Sequence, residues 1–281
     1  MSAGIRQQAR GALVRAARRA RDAHRERGFQ SLLRADPRAG ELLLSPHLDD
    51  AVLDCWELLD GSGELQVVNV FAGVPNRGNV AAWDAITGAR DSGERVRERI
   101  EEDRRALALT SRGGEYLPFL DAQYRRGRGA PSVLDLDRAV AGVIARVARV
   151  YAPAGIGGHP DHLLTRRYAT LLAAAGVPVS LYAELPYCVR HGWPAWVDGS
   201  RADPLRDVDA FWAEQLAGVA GMPSLRDARV VRLDDRAAAA KLAAMRCYAS
   251  QLPALDFAAH GVLSDPAIHR FEVRWELSLA V

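Results

Sequence analysis

The chain has 281 residues, 49% of them hydrophobic and 26% charged, with a formal net charge of +2. That length suits one large domain, or one domain with a small addition, and supports a substantial core. The near-balanced charge argues against a nucleic-acid surface, and no run of roughly 18 apolar residues offers a membrane span.

Lys241 is the single lysine; every other basic residue is arginine, which reads as the codon bias of a GC-rich genome. Cys55, Cys188 and Cys247 are few, odd in number and widely spaced, so they form neither a disulfide framework nor a thiolate metal cage. This usage fits cytoplasmic residence, and the first residues lack an apolar signal segment.

Residues 1–40 form an arginine-rich leader (Arg6, Arg10, Arg15, Arg18, Arg19, Arg21, Arg25, Arg27) in which Leu13, Val14 and alanines predict a helix. A solvated helix packed on the domain is the plain expectation; contact with a partner or an acidic surface is the alternative. "DPRAG" then breaks the chain. Residues 41–281 are expected to form a single domain. Strands are predicted at Glu41–Ser45 and Leu65–Phe71, with a helix over Ala51–Leu59 between them. Such a strand–helix–strand unit builds a parallel sheet. Gly73–Gly93 reads as a long loop containing Trp83, followed by a charged helix over Glu94–Leu109. A second loop, Tyr116–Pro131, carries Asp121 and Tyr124, and a helix over Asp135–Val147 precedes "VYAP". Then follow a helix ending near Ala175, a strand at Val179–Ala183 and the aromatic loop "LPYCVRHGWPAWVDG". The tail predicts a strand at Ala228–Leu233, a helix over Arg236–Ser250 and a last strand at Phe271–Leu277. The fold class is α/β: a Rossmann-like, mostly parallel sheet flanked by helices, with long loops walling a cleft.

Two clusters carry the chemistry. "SPHLDDAVL" places His47, Asp49 and Asp50 after the first of these strands, and "GGHPDH" places His159, Asp161 and His162 after a strand-like run. In an open α/β sheet ligands sit beyond the carboxyl ends of the strands, so both clusters can reach one edge. Imidazole nitrogen and carboxylate oxygen suit zinc, and three such ligands leave a position open for water, the catalytic pattern. An adjacent carboxylate can take a proton and an imidazole can return one, which suits hydrolysis of an acyl bond. Each piece has a plainer reading: Asp49 and Asp50 as a helix cap and its neighbour, either histidine as an ordinary satisfied side chain. Spacing alone leaves the three ligands unassigned.

These motifs resemble those of the PIG-L/LmbE family of zinc-dependent de-N-acetylases, whose signatures run roughly Pro-His-Pro-Asp-Asp and His-Pro-Asp-His. The resemblance implies His47, Asp50 and His162 as Zn²⁺ ligands and Asp49 as general base. It further implies His159 as the group that polarises the amide or protonates the leaving amine, and Asp161 as the carboxylate that orients an active-site histidine. Weaker likenesses in "RIEEDRRALAL" (Arg99–Leu109), "YAELPY" (Tyr182–Tyr187) and "KLAAMRCYASQ" (Lys241–Gln251) extend it over about residues 41–251. Leu48 replaces the usual proline, Ala51 a common glutamate and Asp54 a frequent glycine; none removes a ligand or the base.

The activity implied is removal of an N-acetyl group from an amino sugar or an amino-sugar-containing natural product. The expected partner is thus a small N-acylated molecule, not nucleic acid. The alternatives are an amide hydrolase for a non-sugar metabolite and a silent ligand-binding homologue. Trp83, Tyr116, Tyr124, Tyr187, Trp193 and Trp196 lie in predicted loops where rings can stack or simply pack. Arg190 and His191 can read a polar substituent or belong to the surface. Asp121 and Glu184 can touch substrate or fix loops.

Overall fold

The computed structural model describes residues 28–125, 129–201 and 204–278. The leader arginines, Arg6 to Arg27, lie outside these residues, and with them the helix expected there.

The strands are β1 (Arg34–Ala35), β2 (Glu41–Ser45), β3 (Leu65–Asn69), β4 (Gly114–Tyr116), β5 (Arg146–Val147), β6 (Val150–Pro153), β7 (Val179–Tyr182), β8 (Arg229–Arg232) and β9 (Phe271–Glu276). The α-helices are α1 (Asp50–Asp54), α2 (Trp56–Asp60), α3 (Ala82–Ile86), α4 (Ser92–Ala108), α5 (Val133–Val143) and α6 (Pro160–Ala174). Four more follow: α7 (Ala195–Asp198), α8 (Val208–Leu216), α9 (Asp235–Met245) and α10 (Leu252–Ala258).

A seven-stranded sheet runs β4-β3-β2-β6-β7-β9-β8. The run from β4 to β7 is parallel, and β9 pairs antiparallel with both β7 and β8. Leu42, Leu43 and Leu44 of β2 are fully buried, because a central parallel strand is covered on both faces and needs a continuous apolar run. Strand order reverses between β2 and β6: from β2 the sheet grows one way to β3 and β4, from β6 the other way to β7. The carboxyl ends of β2 and β6 therefore open a crevice at the switch point, where α/β sheets bind ligands.

Several expectations need correction. The helix expected over Ala51–Leu59 is two helices, broken at Cys55 (φ −135°, ψ 35°). Glu272 of β9 explains the break: its carboxylate accepts the Trp56 N–H at 2.7 Å and the Glu57 N–H at 3.1 Å, starting a second helix with its own cap. The helix expected over Asp135–Val147 spans Val133–Val143, opened by a Ser132–Asp135 capping box. Arg146–Val147 pairs instead with Arg34–Ala35 as a parallel two-stranded sheet. Trp83, expected in a loop, sits on α3. The helix expected to reach Ser250 stops at Met245, and the chain beyond it turns so that Tyr248 donates to Asp103 at 2.8 Å. Among the described residues no helix is long and apolar enough to cross a membrane.

Candidate active site

His47, Asp49 and Asp50 occupy the turn between β2 and α1. The Ser45 hydroxyl fixes that turn, donating to the His47 carbonyl at 2.5 Å and accepting the Ala51 N–H at 3.1 Å. Asp49 stands at the N-cap position of α1, yet its side chain makes no cap hydrogen bond. The carboxylate is thus free to line the cavity, and the plain capping reading of Asp49 fails. On the neighbouring strand, the turn after β6 leads into α6. His159 is the N-cap of α6, its Nδ1 accepting the Asp161 N–H at 3.3 Å, with Pro160 in the first turn. Gly157 in this turn has φ +85°, and a Cβ there would lie 2.7 Å from Tyr187 Cβ. Only glycine lets the loop after β7 come this close and bring Tyr187 edge-on to His162, with ring centroids 5.5 Å apart.

Three ligand atoms from the two turns form a near-equilateral triangle. His47 Nδ1 lies 3.5 Å from Asp50 Oδ2, His162 Nε2 lies 3.4 Å from the same oxygen, and the two nitrogens are 3.2 Å apart. A point equidistant from all three is about 2 Å from each, the length of a Zn–N or Zn–O bond. The outer hydrogen bonds aim the lone pairs inward. His47 Nε2 meets Asp161 Oδ2 at 3.3 Å and His162 Nδ1 meets Glu184 Oε1 at 3.2 Å. With protons on those outer nitrogens, His47 Nδ1 and His162 Nε2 are left as acceptors. The residues present therefore fit a zinc-like cation. His159 and Asp121 also bring ligand atoms close to this group, but the His159 Nδ1 lone pair is committed to the backbone of Asp161. Its proton therefore sits on Nε2.

Electrostatics separate the roles available to these groups. Burial opposes the charge of Asp50, but the His162 and His47 imidazoles outweigh it and pull the carboxyl down to about 2. Burial raises Asp49, against the pull of the Arg99 guanidinium, whose Nη2 is 3.8 Å from its Oδ1. Burial, reinforced by the neighbouring His47 and His162, lowers His159 to about 3. A carboxylate lifted toward basicity and a neutral imidazole thus flank the ligand triangle. Asp161, fully buried, also accepts the Ala122 N–H at 2.9 Å and contacts the Arg125 guanidinium, which ties the Asp121 loop to the centre.

A cavity of about 470 Å³ opens over these groups, and His47, Asp49, Asp50, Arg99, Asp121 and His159 are among the residues that line it. Of the aromatic residues singled out in the sequence, Trp83 and Tyr187 line it. The other four serve packing: Tyr116 bonds Asp103, Tyr124 bonds Asp84, Trp193 bonds the Ile268 carbonyl and Trp196 bonds Asp209. Arg190 reaches the cavity, whereas His191 packs against Phe211. Asp54, at the position where a glycine is frequent in the family that the motif resembles, accepts the Leu185 N–H at 2.7 Å behind the site. Sequence reasoning assigned no site role to Arg99, Gln123 or Gln251, which line the cavity. Nor did it find that Glu184 holds His162, since their 22-residue separation crosses a whole strand and no local pattern marks it.

No family model matches the chain. Two curated relatives do, each described as 2'-N-acetylparomamine deacetylase. The one from Streptomyces fradiae is 34% identical over 171 residues, covering 53% of this chain and 58% of that protein. The one from Niallia circulans is 30% identical over 189 residues, covering 53% of this chain and 68% of that protein. The chain thus spans less than two thirds of the Streptomyces relative. Among solved structures, the zinc-inhibited form of teicoplanin deacetylase aligns with a TM-score of 0.61 at 25% identity, over 85% of this chain and 98% of that chain.

Proposed function

Since this chain belongs to the PIG-L/LmbE family of de-N-acetylases, we propose that it is a zinc-dependent hydrolase removing the N-acetyl group from an amino sugar or an amino-sugar-containing natural product. The observation that carries the reading is the convergence of His47 Nδ1, Asp50 Oδ2 and His162 Nε2 within 3.5 Å of one another, beside a carboxylate free of any cap bond. The curated relatives' described activity and the amino-sugar substrate in their name support the same reading.

In this account His47, Asp50 and His162 hold the cation, and Asp161 and Glu184 orient the two imidazoles. When bound, zinc supplies Lewis-acid polarisation and brings the pKa of water toward about 7. Asp49 takes the proton of the attacking water; burial raises its basicity for the task. His159, with its proton on Nε2, donates a hydrogen bond to the acetamide oxygen as negative charge develops there. Asp49 then holds the proton that the departing amine needs, so the residue that acts as base returns as acid. Products are the free amine and acetate.

The test is primary-amine release from 2'-N-acetylparomamine and a panel of N-acetyl amino sugars, with zinc supplied and with a chelator. Zinc-dependent release from any member is the expected result. Folded, zinc-bearing protein that leaves every amide intact would overturn the reading.

A further inference from the structure

The two carboxylates that orient the ligand histidines are anchored differently. Glu184, behind His162, is held at both oxygens by backbone: Oε1 accepts the Gly155 N–H at 2.5 Å and Oε2 the Ile156 N–H at 3.3 Å. Asp161, behind His47, has backbone on one oxygen only. Its Oδ2 meets His47 Nε2 at 3.3 Å and accepts the Ala122 N–H at 2.9 Å. Among the described residues the other oxygen, Oδ1, has no partner except the Arg125 guanidinium, whose Nη2 contacts it. Asp161 is fully buried, and a buried carboxylate needs a paired charge and hydrogen bonds to stay in place. The Arg125 side chain is therefore the part of its anchorage that the backbone does not supply.

Arg125 follows the short turn Ala122–Tyr124, which Asp121 caps by accepting the Gln123 N–H at 3.0 Å. It is 8% exposed and is not among the residues that line the cavity. Its guanidinium lies over the Phe71 ring, with Cζ 5.2 Å from the centroid, and the Phe71 ring lies 6.3 Å from that of His47. One buried cation thus reaches the His47 imidazole by two routes, through Asp161 and through Phe71. The same contact fastens the loop that carries Asp121, a residue of the cavity lining.

We propose that Arg125 is a positioning residue of the metal centre: it fixes the Asp161 carboxylate in the orientation that holds His47 Nε2, and so keeps His47 Nδ1 aimed at the cation. Partners one step behind a ligand set its direction, and their loss weakens the metal without touching a ligand atom. This rests on the reading of His47 as a ligand of the deacetylase centre.

The experiment compares the wild-type chain with Arg125→Met, Arg125→Lys, Asp161→Asn and the double variant Arg125→Met/Asp161→Asn. Methionine keeps an apolar side chain against Phe71 and removes the guanidinium; lysine keeps a charge without the fork. One readout is zinc affinity, by competition with a chelator. The other is proton–nitrogen NMR of the imidazole rings in metal-free protein, where slow exchange of the His47 Nε2–H reports its bond to Asp161. Arg125→Met should bind zinc about 10- to 100-fold more weakly and lose the slow exchange at His47, while the His162 Nδ1–H, held by Glu184, stays as in wild type. Arg125→Lys should fall between the two. The double variant should bind zinc no more weakly than Asp161→Asn alone, because Arg125 acts through Asp161. Wild-type zinc affinity with slow exchange at His47 in Arg125→Met would overturn the proposal. So would losses at the two positions that add in full, or exchange that quickens equally at His47 and His162, since either marks a general loss of packing. If Arg125→Met does not fold, Arg125→Lys decides by the same readouts: quickened exchange at His47 alone supports the proposal, and wild-type behaviour overturns it. Amine release from N-acetyl amino sugars, measured on the same preparations, tests the deacetylase reading separately. The expected Arg125 response in a protein that hydrolyses no amide would sink that reading and leave the Arg125 assignment standing.

Discussion

Glu184 Oε1 lies 3.2 Å from His162 Nδ1, both side chains fully buried, and the same oxygen accepts the Gly155 N–H at 2.5 Å. One carboxylate at the end of β7 thus sets the tautomer of a histidine on α6 and holds the turn that precedes it. The ends of the neighbouring strands β6 and β7 are joined through it.

Glu184→Gln keeps the shape of this contact and removes the charge that makes imidazole Nε2 a strong donor to a cation. Zinc affinity should fall about 10- to 100-fold, read by competition with a chelator of known affinity. The thermal midpoint of the metal-free protein should change little. Unaltered zinc affinity would mean that His162 is not oriented through Glu184.

The only lysine of the chain is fully buried, its Nζ 2.9 Å from Glu272 Oε1. Glu272 also caps α2, so its charge is built into the core. Lys241→Met leaves that carboxylate without its cation. Unpairing a buried ion costs about 3–5 kcal/mol, and the two backbone N–H bonds that remain favour the lower end. Urea unfolding of variant and wild type measures the loss; a change below about 1 kcal/mol would contradict the assignment.

His269 is buried with Nε2 2.8 Å from the Leu263 carbonyl, and burial lowers its imidazole to about 4. Its ordinary value is about 6.5. The unfolded chain therefore binds a proton between these limits that the folded chain refuses. Stability from this residue is complete above about pH 6.5 and declines as pH falls toward 4. Asp103, raised to about 7 by burial, has the opposite slope, so the informative quantity is the difference between His269→Gln and wild type. Denaturant midpoints should converge as pH drops from 6.5 to 4. A constant gap across that range would mean that His269 titrates normally in the fold.

How much of this was legible beforehand varies with locality. Glu41–Ser45 was readable to the residue, because an apolar run between a turn and a polar cluster defines its own limits. "VYAP" read only as a strand-like run, and it forms the strand Val150–Pro153. The two motifs pointed to one sheet edge because the strand-to-helix turn is a local pattern. Arg146–Val147 was misread as helix because its partner, Arg34–Ala35, lies more than a hundred residues away. The break at Cys55 was invisible because the carboxylate that causes it comes from β9. Glu184 could be noticed as an acid after a strand, but nothing local says which imidazole it holds. Asp49 was ambiguous for another reason: an aspartate before a helix has the same sequence whether or not it caps, and only the absent side-chain bond decides.

The most direct test of the central claim compares zinc content and turnover in Asp49→Asn and His162→Ala, measured on the same preparations by elemental analysis and amine release. Asp49→Asn should keep the wild-type zinc content and lose about 10²–10⁴-fold in turnover, while His162→Ala should lose both. Wild-type turnover in Asp49→Asn, or zinc lost in step with its activity, would contradict the division between base and ligands on which the account stands.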